Sequence, residues 1–321
     1  MKIPEARIAA IAGRNQGRAE ELASSATAAK PTAGSGYERP RVYPDWGEML
    51  AKEELDAVFI LLPPHLHGDL EIACAGRVPA VLVEKPLANE LAIARRVLEA
   101  FDTAGTFAAA AYMNRCRRSV ARTRELFSGP EDAPVLVEGR WVTPLPPPSW
   151  WRNKSLSGGQ FVEQCTHLVD IARFVAGEIV EVSAFPATGH IDDVEGFTAD
   201  DAMVVSARFA SGALGQFSTG CFPRRDFAAV GGIGMEFGSR SARCRLSGWG
   251  MELRAEFESG GTETIAPEED IFEVEDRLFL LAAAKGEPGL FPSSYADAVE
   301  TLRVTLAANE SAASGKALRL G

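Results

Sequence analysis

The sequence predicts two differently built halves: an α/β half on a parallel sheet with crossover helices, then an α+β half on a large, mostly antiparallel open sheet. Up to about residue 111, short apolar runs alternate with helical patterns, which is the rhythm of βαβ units. From Val135 onward strand-like segments follow one another, many across Gly-containing turns. A chain of 321 residues is also longer than one compact core usually needs, so two domains are expected, 1–114 and 115–321.

ARIAAIA at 6–12 reads as the first strand. Asn15 stands where a helix cap belongs, because a short amide side chain can accept from the open N–H groups of a first turn. Arg18 to Ala29 is rich in Ala, Glu and Leu, which lose little freedom in a helix. KPTAGSGYERP at 30–40 breaks that pattern and reads as a surface loop before a short strand over Arg41 to Tyr43. The alternation continues with a helix near Asp45 to Lys52, a strand at Ala57 to Leu62, a helix from about His65 to Ala75 and a strand at Ala80 to Val83. A helix at Asn89 to Ala104 and a small-residue strand at Phe107 to Ala111 complete this half. In the second half VLVEGRWVT, IVEVSAF, AMVVSARFA, ALGQFSTG, GMEFG, ARCRLS and MELRAEF read as strands, and the last helix runs from about Tyr295 to Ser314. A sheet with one face on helices leaves the other for a partner, so a homodimer or homotetramer through the C-terminal sheet is expected.

The 46% hydrophobic and 24% charged fractions are ordinary for a soluble globular protein. No segment offers the ~18 uninterrupted apolar residues of a membrane span. Pro4, Glu5 and Arg7 interrupt the amino terminus, unlike an export signal, so the cytoplasm is the expected compartment. A net charge of −11 disfavours nucleic acid as a partner. The local basic group Arg115, Arg117, Arg118 and Arg122 reads either as a solvated helix face or as an anion site. Five scattered cysteines without a CxxC pair suggest neither a disulfide framework nor zinc, and no metal is expected.

Two motifs carry chemistry. VFILLPPHLHGDLE at 58–71 ends a strand in a proline-rich turn with a downstream histidine, and one βα unit later LVEKPLA at 82–88 ends another in Glu84-Lys85-Pro86. Open α/β sheets bind ligands at the carboxyl ends of their strands, so Lys85 should project into a cleft and donate to a substrate oxygen, with partial burial lowering its pKa. In GGQFVEQCTHLVDIARFVAG at 158–177, Phe161, Cys165, Leu168, Ile171 and Val175 recur at the spacing of one helix face. Glu163 and His167 are four apart, so they should leave the same side of that helix as an acid/base pair, with Asp170 one turn on. A lone EKP equally suits a strand end with a solvated lysine, and a lone helical histidine a satisfied core residue.

On these motifs the chain resembles the glucose–fructose oxidoreductase/inositol dehydrogenase family, over essentially its whole length apart from the start. The resemblance implies a Rossmann-like first domain. It also implies hydride transfer between a nicotinamide dinucleotide and a sugar, cyclitol or similar polyhydroxylated substrate. Lys85 and His167 would manage the proton and Glu163 would orient the alcohol. The family usually offers Asp-x-x-x-His on this helix, so Glu163 departs from it by one methylene. Leu62, Pro63, Pro64, His67, Glu84, Lys85 and Pro86 would lie beside the cofactor, and a cis bond before Pro86 would suit the family. Tyr112, Asn114 and Arg115 leave the last parallel strand, and Trp151, Arg152 and Lys154 precede the glycine pair, so both groups should border the substrate. Aromatic faces beside hydrogen-bonding groups suit sugar rings, and Arg152 or Lys154 would be placed to read an acidic group. Trp150 and Trp151, which follow three prolines, equally suit a packed loop anchor.

A dinucleotide fold opens with a strand, a GxGxxG turn and a helix, whose glycines and free N–H groups receive the pyrophosphate. This sequence shows no such opening. ARIAAIAGRN reads as the second strand, so one βα unit of about 25–30 residues is expected to be missing before it. In the order 3-2-1-4-5-6 that would leave two strands with unpaired edges. A start set too far downstream and a variant whose remaining strands close up both stay open. The second strand ends in Gly13-Arg14-Asn15 rather than in an acidic residue that would grip the ribose diol of NAD. Arg14 can pair with a 2′-phosphate, so NADP is expected with NAD possible, although an exposed arginine starting a helix accounts for it equally. Two other readings remain: a non-catalytic relative that lost dinucleotide binding and serves ligand binding or dimerisation, and an NAD-assisted glycosidase.

Overall fold

The computed structural model describes residues 3, 6–28, 38–129, 131–223, 232–268 and 270–321. The first half runs β1 (Ala10–Ala12), α1 (Gln16–Ala28), β2 (Arg41–Tyr43), α2 (Trp46–Lys52), β3 (Ala57–Ile60), α3 (Asp69–Cys74), β4 (Ala80–Val83), α4 (Leu91–Ala104) and β5 (Phe107–Ala110). All its ladders are parallel, but they form two sheets, β1-β2 and β3-β4-β5. No ladder joins β1 to β3 among the described residues, so these strands have not closed up on one another. Every residue of β4 is buried, as expected of a central parallel strand covered on both faces. Ile60, Val81 and Val83 pack with Leu70, Val97 and Phe101, and also with Tyr295 and Leu302 from the chain's last helix.

Local chemistry explains the boundaries. Asn15 Oδ1 accepts from Arg18 N at 3.1 Å, and Asp45 Oδ1 accepts from Glu48 N at 2.9 Å, so both helices start where a short side chain satisfies an open amide. The helix expected from His65 is divided: a single 3-10 turn covers Pro64–Leu66, and α3 begins after Gly68, whose φ of 127° favours glycine. The loop expected at 30–40 falls largely on residues 30–37, outside the described ones.

The second half comprises α5 (Arg118–Leu126), β6 (Leu136–Val142), α6 (Ser149–Arg152), α7 (Lys154–Ser157), α8 (Gln160–Glu163), α9 (Thr166–Ala176), β7 (Ile179–Ala187), β8 (Ala202–Phe209) and β9 (Leu214–Gly220). It continues with β10 (Ile233–Gly238), β11 (Ala242–Ser247), β12 (Glu252–Phe257), β13 (Thr262–Ile265), α10 (Ile271–Lys285), α11 (Tyr295–Ser314) and β14 (Leu318–Arg319). The nine-stranded sheet has the order β13-β12-β11-β10-β6-β9-β8-β7-β14 and is antiparallel except between β6 and β9. Inward residues Val137, Trp141, Val205, Phe217 and Phe237 meet Leu168, Val169 and Ala172 of α9. The alternate residues face outward, leaving Leu136, Leu214 and Phe185 exposed.

The single helix expected across 160–176 is two. Cys165 N bonds to Gln160 O, five residues back, so the regular four-residue ladder is interrupted at Gln164–Cys165 and the chain restarts as α9. Glu163 and His167 therefore do not share one continuous helix face. Both instead lie by Lys85, Glu163 by a hydrogen bond to its Nζ and His167 within reach of its charge.

Candidate active site

β3 and β4 end side by side, Glu84 N donating to Ile60 O at 2.9 Å, and this brings the turn at Leu62-Pro63-Pro64 next to Glu84-Lys85-Pro86. The Lys85–Pro86 bond is cis. Lys85 leaves this edge and crosses to α8, where Nζ donates to Glu163 Oε1 at 2.8 Å and to Glu163 O at 2.9 Å. Its side chain is 11% exposed and that of Glu163 4%.

Burial alone would pull the Lys85 ammonium down, but the Glu163 and Glu84 carboxylates overcome it and the net direction is upward. The expectation that burial would lower this lysine is thus corrected: a close carboxylate outweighs desolvation. The Glu163 carboxyl is pushed up to about 7 by burial, against the pull of Lys85. His167 lies beside them, stacked on Trp141 at 5.4 Å with Tyr112 edge-on at 6.0 Å. Burial, reinforced by Lys85 and Arg117, drives its imidazole well below the ordinary value, so the ring is neutral. Glu163 Oε2 and His167 Nδ1 are buried without a hydrogen-bond partner among the described residues. Such groups are rare unless something else binds there.

His67 supports the turn rather than facing it. Its Nε2 lies 2.9 Å from Leu62 O, and its Nδ1 meets Glu71, whose second oxygen accepts from Gly68 N at 2.6 Å. His65 Nδ1 lies 3.2 Å from Leu156 O, tying the same turn to α7.

The residues expected along the substrate divide. Trp151 stacks on Trp150, with ring centroids 5.5 Å apart, and Lys85 Nζ lies over its ring at 5.7 Å. Tyr112 hydroxyl pairs with Thr166 Oγ1 at 2.7 Å. Asn114 Oδ1 accepts from Arg117 Nε at 2.8 Å. Arg115, expected on the substrate, grips Asp170 through two bonds of 2.8 and 2.7 Å and also pairs with Asp297, so it is a buried structural cation. Arg117 donates to Trp249 O and meets Glu268, while Arg122 meets Glu263. Arg115 and Arg117 are buried among carboxylates and carbonyls, whereas Arg118, 72% exposed, and Arg122, 37% exposed, belong to a solvated face beside Glu268 and Glu263. Arg152 donates to Pro146 O and Pro147 O, while Lys154 donates to Asp200 Oδ2 at 2.6 Å and so already holds a carboxylate. Sequence reasoning missed Trp141 and Gln160. The alternation along β6 places Trp141 inward with Val137, which is a usable signal, whereas nothing local marks Gln160.

At the other end, Gly13 N donates to Tyr43 O at 3.1 Å, and Gln16 Nε2 bonds both Gly13 O and Tyr43 O. Arg14 and Asn15 are exposed there at the carboxyl end of β1. A Cβ on Gly13 would meet only Ala19 Cβ at 4.0 Å, so packing does not demand this glycine. Among the described residues no cluster of His, Cys, Asp and Glu has the arrangement of a metal site, and no helix is long and apolar enough to cross a membrane.

The model of an oxidoreductase family with an NAD-binding Rossmann fold matches residues 1–112, and that of the GFO/IDH/MocA C-terminal domain matches 132–230. The chain is 32% identical over 177 residues to a myo-inositol 2-dehydrogenase of Thermotoga maritima, covering 54% of this chain and 52% of the relative. It is 28% identical over 215 residues to a scyllo-inositol 2-dehydrogenase (NAD(+)) of Bacillus subtilis, covering 66% and 59%. These matches thus span between half and three fifths of the relatives' length. A levoglucosan dehydrogenase solved in complex with NADH and levoglucosan superposes with a TM-score of 0.82 at 22% identity, over 98% of this chain and 90% of that one, which establishes the shared fold.

Proposed function

The chain belongs to the GFO/IDH/MocA oxidoreductase family, and on that premise we propose that it is an NAD(P)-dependent dehydrogenase acting on a secondary alcohol of a sugar, cyclitol or similar polyol. The observation that carries this reading is the buried Lys85, Glu163 and His167 constellation at the carboxyl edge of β4, with an oxygen of Glu163 and a nitrogen of His167 unpaired among the described residues.

The residues present fit a nicotinamide dinucleotide at both ends. Gly13, Arg14 and Asn15 would hold the adenosine ribose. Leu62, Pro63, Pro64, Glu84, Lys85 and Pro86 would flank the nicotinamide, with His67 fixing the carbonyl of Leu62. Arg14 favours the 2′-phosphate of NADP, while NAD remains compatible with an open glycine turn. A nicotinamide bound there would accept the hydride from the carbinol carbon. Lys85 stays an ammonium and donates to the substrate oxygen as negative charge develops on it, the preorganised kind of stabilisation. Neutral His167 can accept the hydroxyl proton, and Glu163 holds Lys85 and the reacting alcohol in place. The domain division falls near residue 114, and the outward face of the large sheet would join protomers into a dimer or tetramer.

The test is titration of the protein with NADPH and NADH, followed by cofactor fluorescence and thermal shift, then a polyol screen. Micromolar binding, worth about 8 kcal/mol, with turnover lost in both Lys85→Met and His167→Ala, supports the reading. Turnover retained in both variants overturns it. So does failure of a folded protein to bind either cofactor.

A further inference from the structure

We propose that Gln160 is a specificity-determining residue, its amide bridging hydroxyls of an uncharged polyol next to the hydroxyl held by Glu163. The proposal rests on the dehydrogenase reading above. Gln160 is 1% exposed, and both its Oε1 and its Nε2 are buried without a partner among the described residues. A wholly unpaired amide in a protein interior is unusual, since each atom forgoes its bond to water.

The turn of α8 shows where this amide points. Residues three and four apart on a helix are neighbours. Glu163 reaches Lys85 on one side, and Gln164 Oε1 accepts from Thr143 Oγ1 at 3.2 Å on the other. Gln160 stands three residues before Glu163 and four before Gln164, so on the α8 turn it neighbours both, and we place its amide beside Glu163. Lys85 bonds Glu163, lies over the Trp151 ring and acts on His167, which stacks on Trp141; Glu163 Oε2, His167 Nδ1, Trp141 Nε1 and Trp151 Nε1 are likewise buried and unpaired among the described residues.

This set has a definite chemical preference. The indole N–H groups can only donate and the Glu163 carboxylate accepts, while an amide does both at once, as two adjacent hydroxyls require. Among the described residues, Arg115, Arg117 and Lys154 are paired with the carboxylates of Asp170, Glu268 and Asp200, Lys85 is shared between Glu163 and the reacting oxygen, and Arg152 is turned to the Pro146 and Pro147 carbonyls. A carboxylate or phosphate beside Gln160 would face the Glu163 carboxylate and compete with it for Lys85. A neutral vicinal diol satisfies the open atoms without any such conflict.

The test uses Gln160→Met, nearly equal in volume but unable to hydrogen-bond. In the free protein this variant should melt higher by about 2 °C, because it removes an unsatisfied buried amide. With cofactor present, myo-inositol and levoglucosan are compared with their monodeoxy analogues and with a sugar acid. For whichever polyol the wild type oxidises, Gln160→Met should raise KM about tenfold or more with a smaller change in kcat. It should also erase the preference over one deoxy analogue, since a site built around a hydroxyl rejects the analogue lacking it. The sugar acid should produce no thermal shift in either protein. A lower melting temperature for the variant, an unchanged preference over every deoxy analogue, or tight binding of the sugar acid overturns the proposal. If the wild type oxidises polyols and only these signs fail, the Gln160 assignment alone is lost; if it neither binds nor oxidises any polyol, the dehydrogenase reading falls with it.

Discussion

Lys85 keeps its charge at a depth where burial alone would weaken it, because Glu163 sits 2.8 Å away. The same contact leaves Glu163 contested, drawn down by the ammonium and pushed up to about 7 by the surrounding apolar matter. Alcohol oxidation should therefore rise with pH through about 7 as Glu163 ionises. In Glu163→Gln that limb should disappear from the kcat/KM profile, with kcat/KM lower by roughly 10²–10⁴; a profile identical to wild type would remove Glu163 from the mechanism. The residue types at this site are legible in the sequence, since Glu-Lys-Pro after a strand and Glu four before His are local patterns. The ionisation states are not. They depend on Trp141, Tyr112 and Arg117 surrounding His167, residues brought there from separate strands and turns.

At the scale of elements, the break between α8 and α9 and the ion network beneath it set the aim of the site. Gly158 opens this segment with φ 79°, and a Cβ there would fall 2.8 Å from Val162 Cγ1. Gly158→Ala should therefore cost more than about 1 kcal/mol in a urea melt and weaken catalysis through α8. Asp170 lies one turn beyond His167 and is bonded by Arg115 and Thr301. Asp170→Ala leaves Arg115 with a weakened counter-charge and should cost about 3–5 kcal/mol, read from denaturant midpoints. Asp297 bridges Arg115 and Arg173 from α11. Burial would raise its carboxyl, but the two guanidiniums prevail and hold it below the usual carboxylate value. A depressed folded pKa means that this stabilisation is complete above the unfolded value near 4 and is lost as pH falls through the folded one. Asp297→Asn should accordingly flatten the acid limb of stability against pH, and an unchanged limb would count against the pairing. Periodicity along 158–177 foretells which residues are buried. It does not foretell the interrupted turn, because a break of one residue barely disturbs an apolar stripe.

Across the whole molecule, the outward face of the nine-stranded sheet joins Leu136 to its neighbour Leu214 across the β6-β9 ladder, and Val204 to Phe185 across β8-β7. These side chains are between 39% and 70% exposed and form two apolar pairs, with Arg208, Ser206 and Gln216 of the same face between them. Leu214→Arg should convert the proposed dimer or tetramer into a smaller species by light scattering, and a mass identical to that of the wild type would remove this face from the proposal.

The sequence by itself determined the succession of parallel and antiparallel strands and the places of α1, α2, α4 and α11, and it singled out Lys85, Glu163 and His167 as candidates. Each is written in short-range patterns: apolar periodicity, caps such as Asp45, and motifs a few residues long. Only the tertiary structure decided that β1 and β3 stay in separate sheets, that α10 and α11 supply part of the first half's core, and that Arg115 and Lys154 are committed to carboxylates. It also decided that Gln160 is buried with no partner among the described residues. Those outcomes depend on desolvation and on partners distant in the chain, and a charged or amide side chain carries no local mark of which partner will reach it.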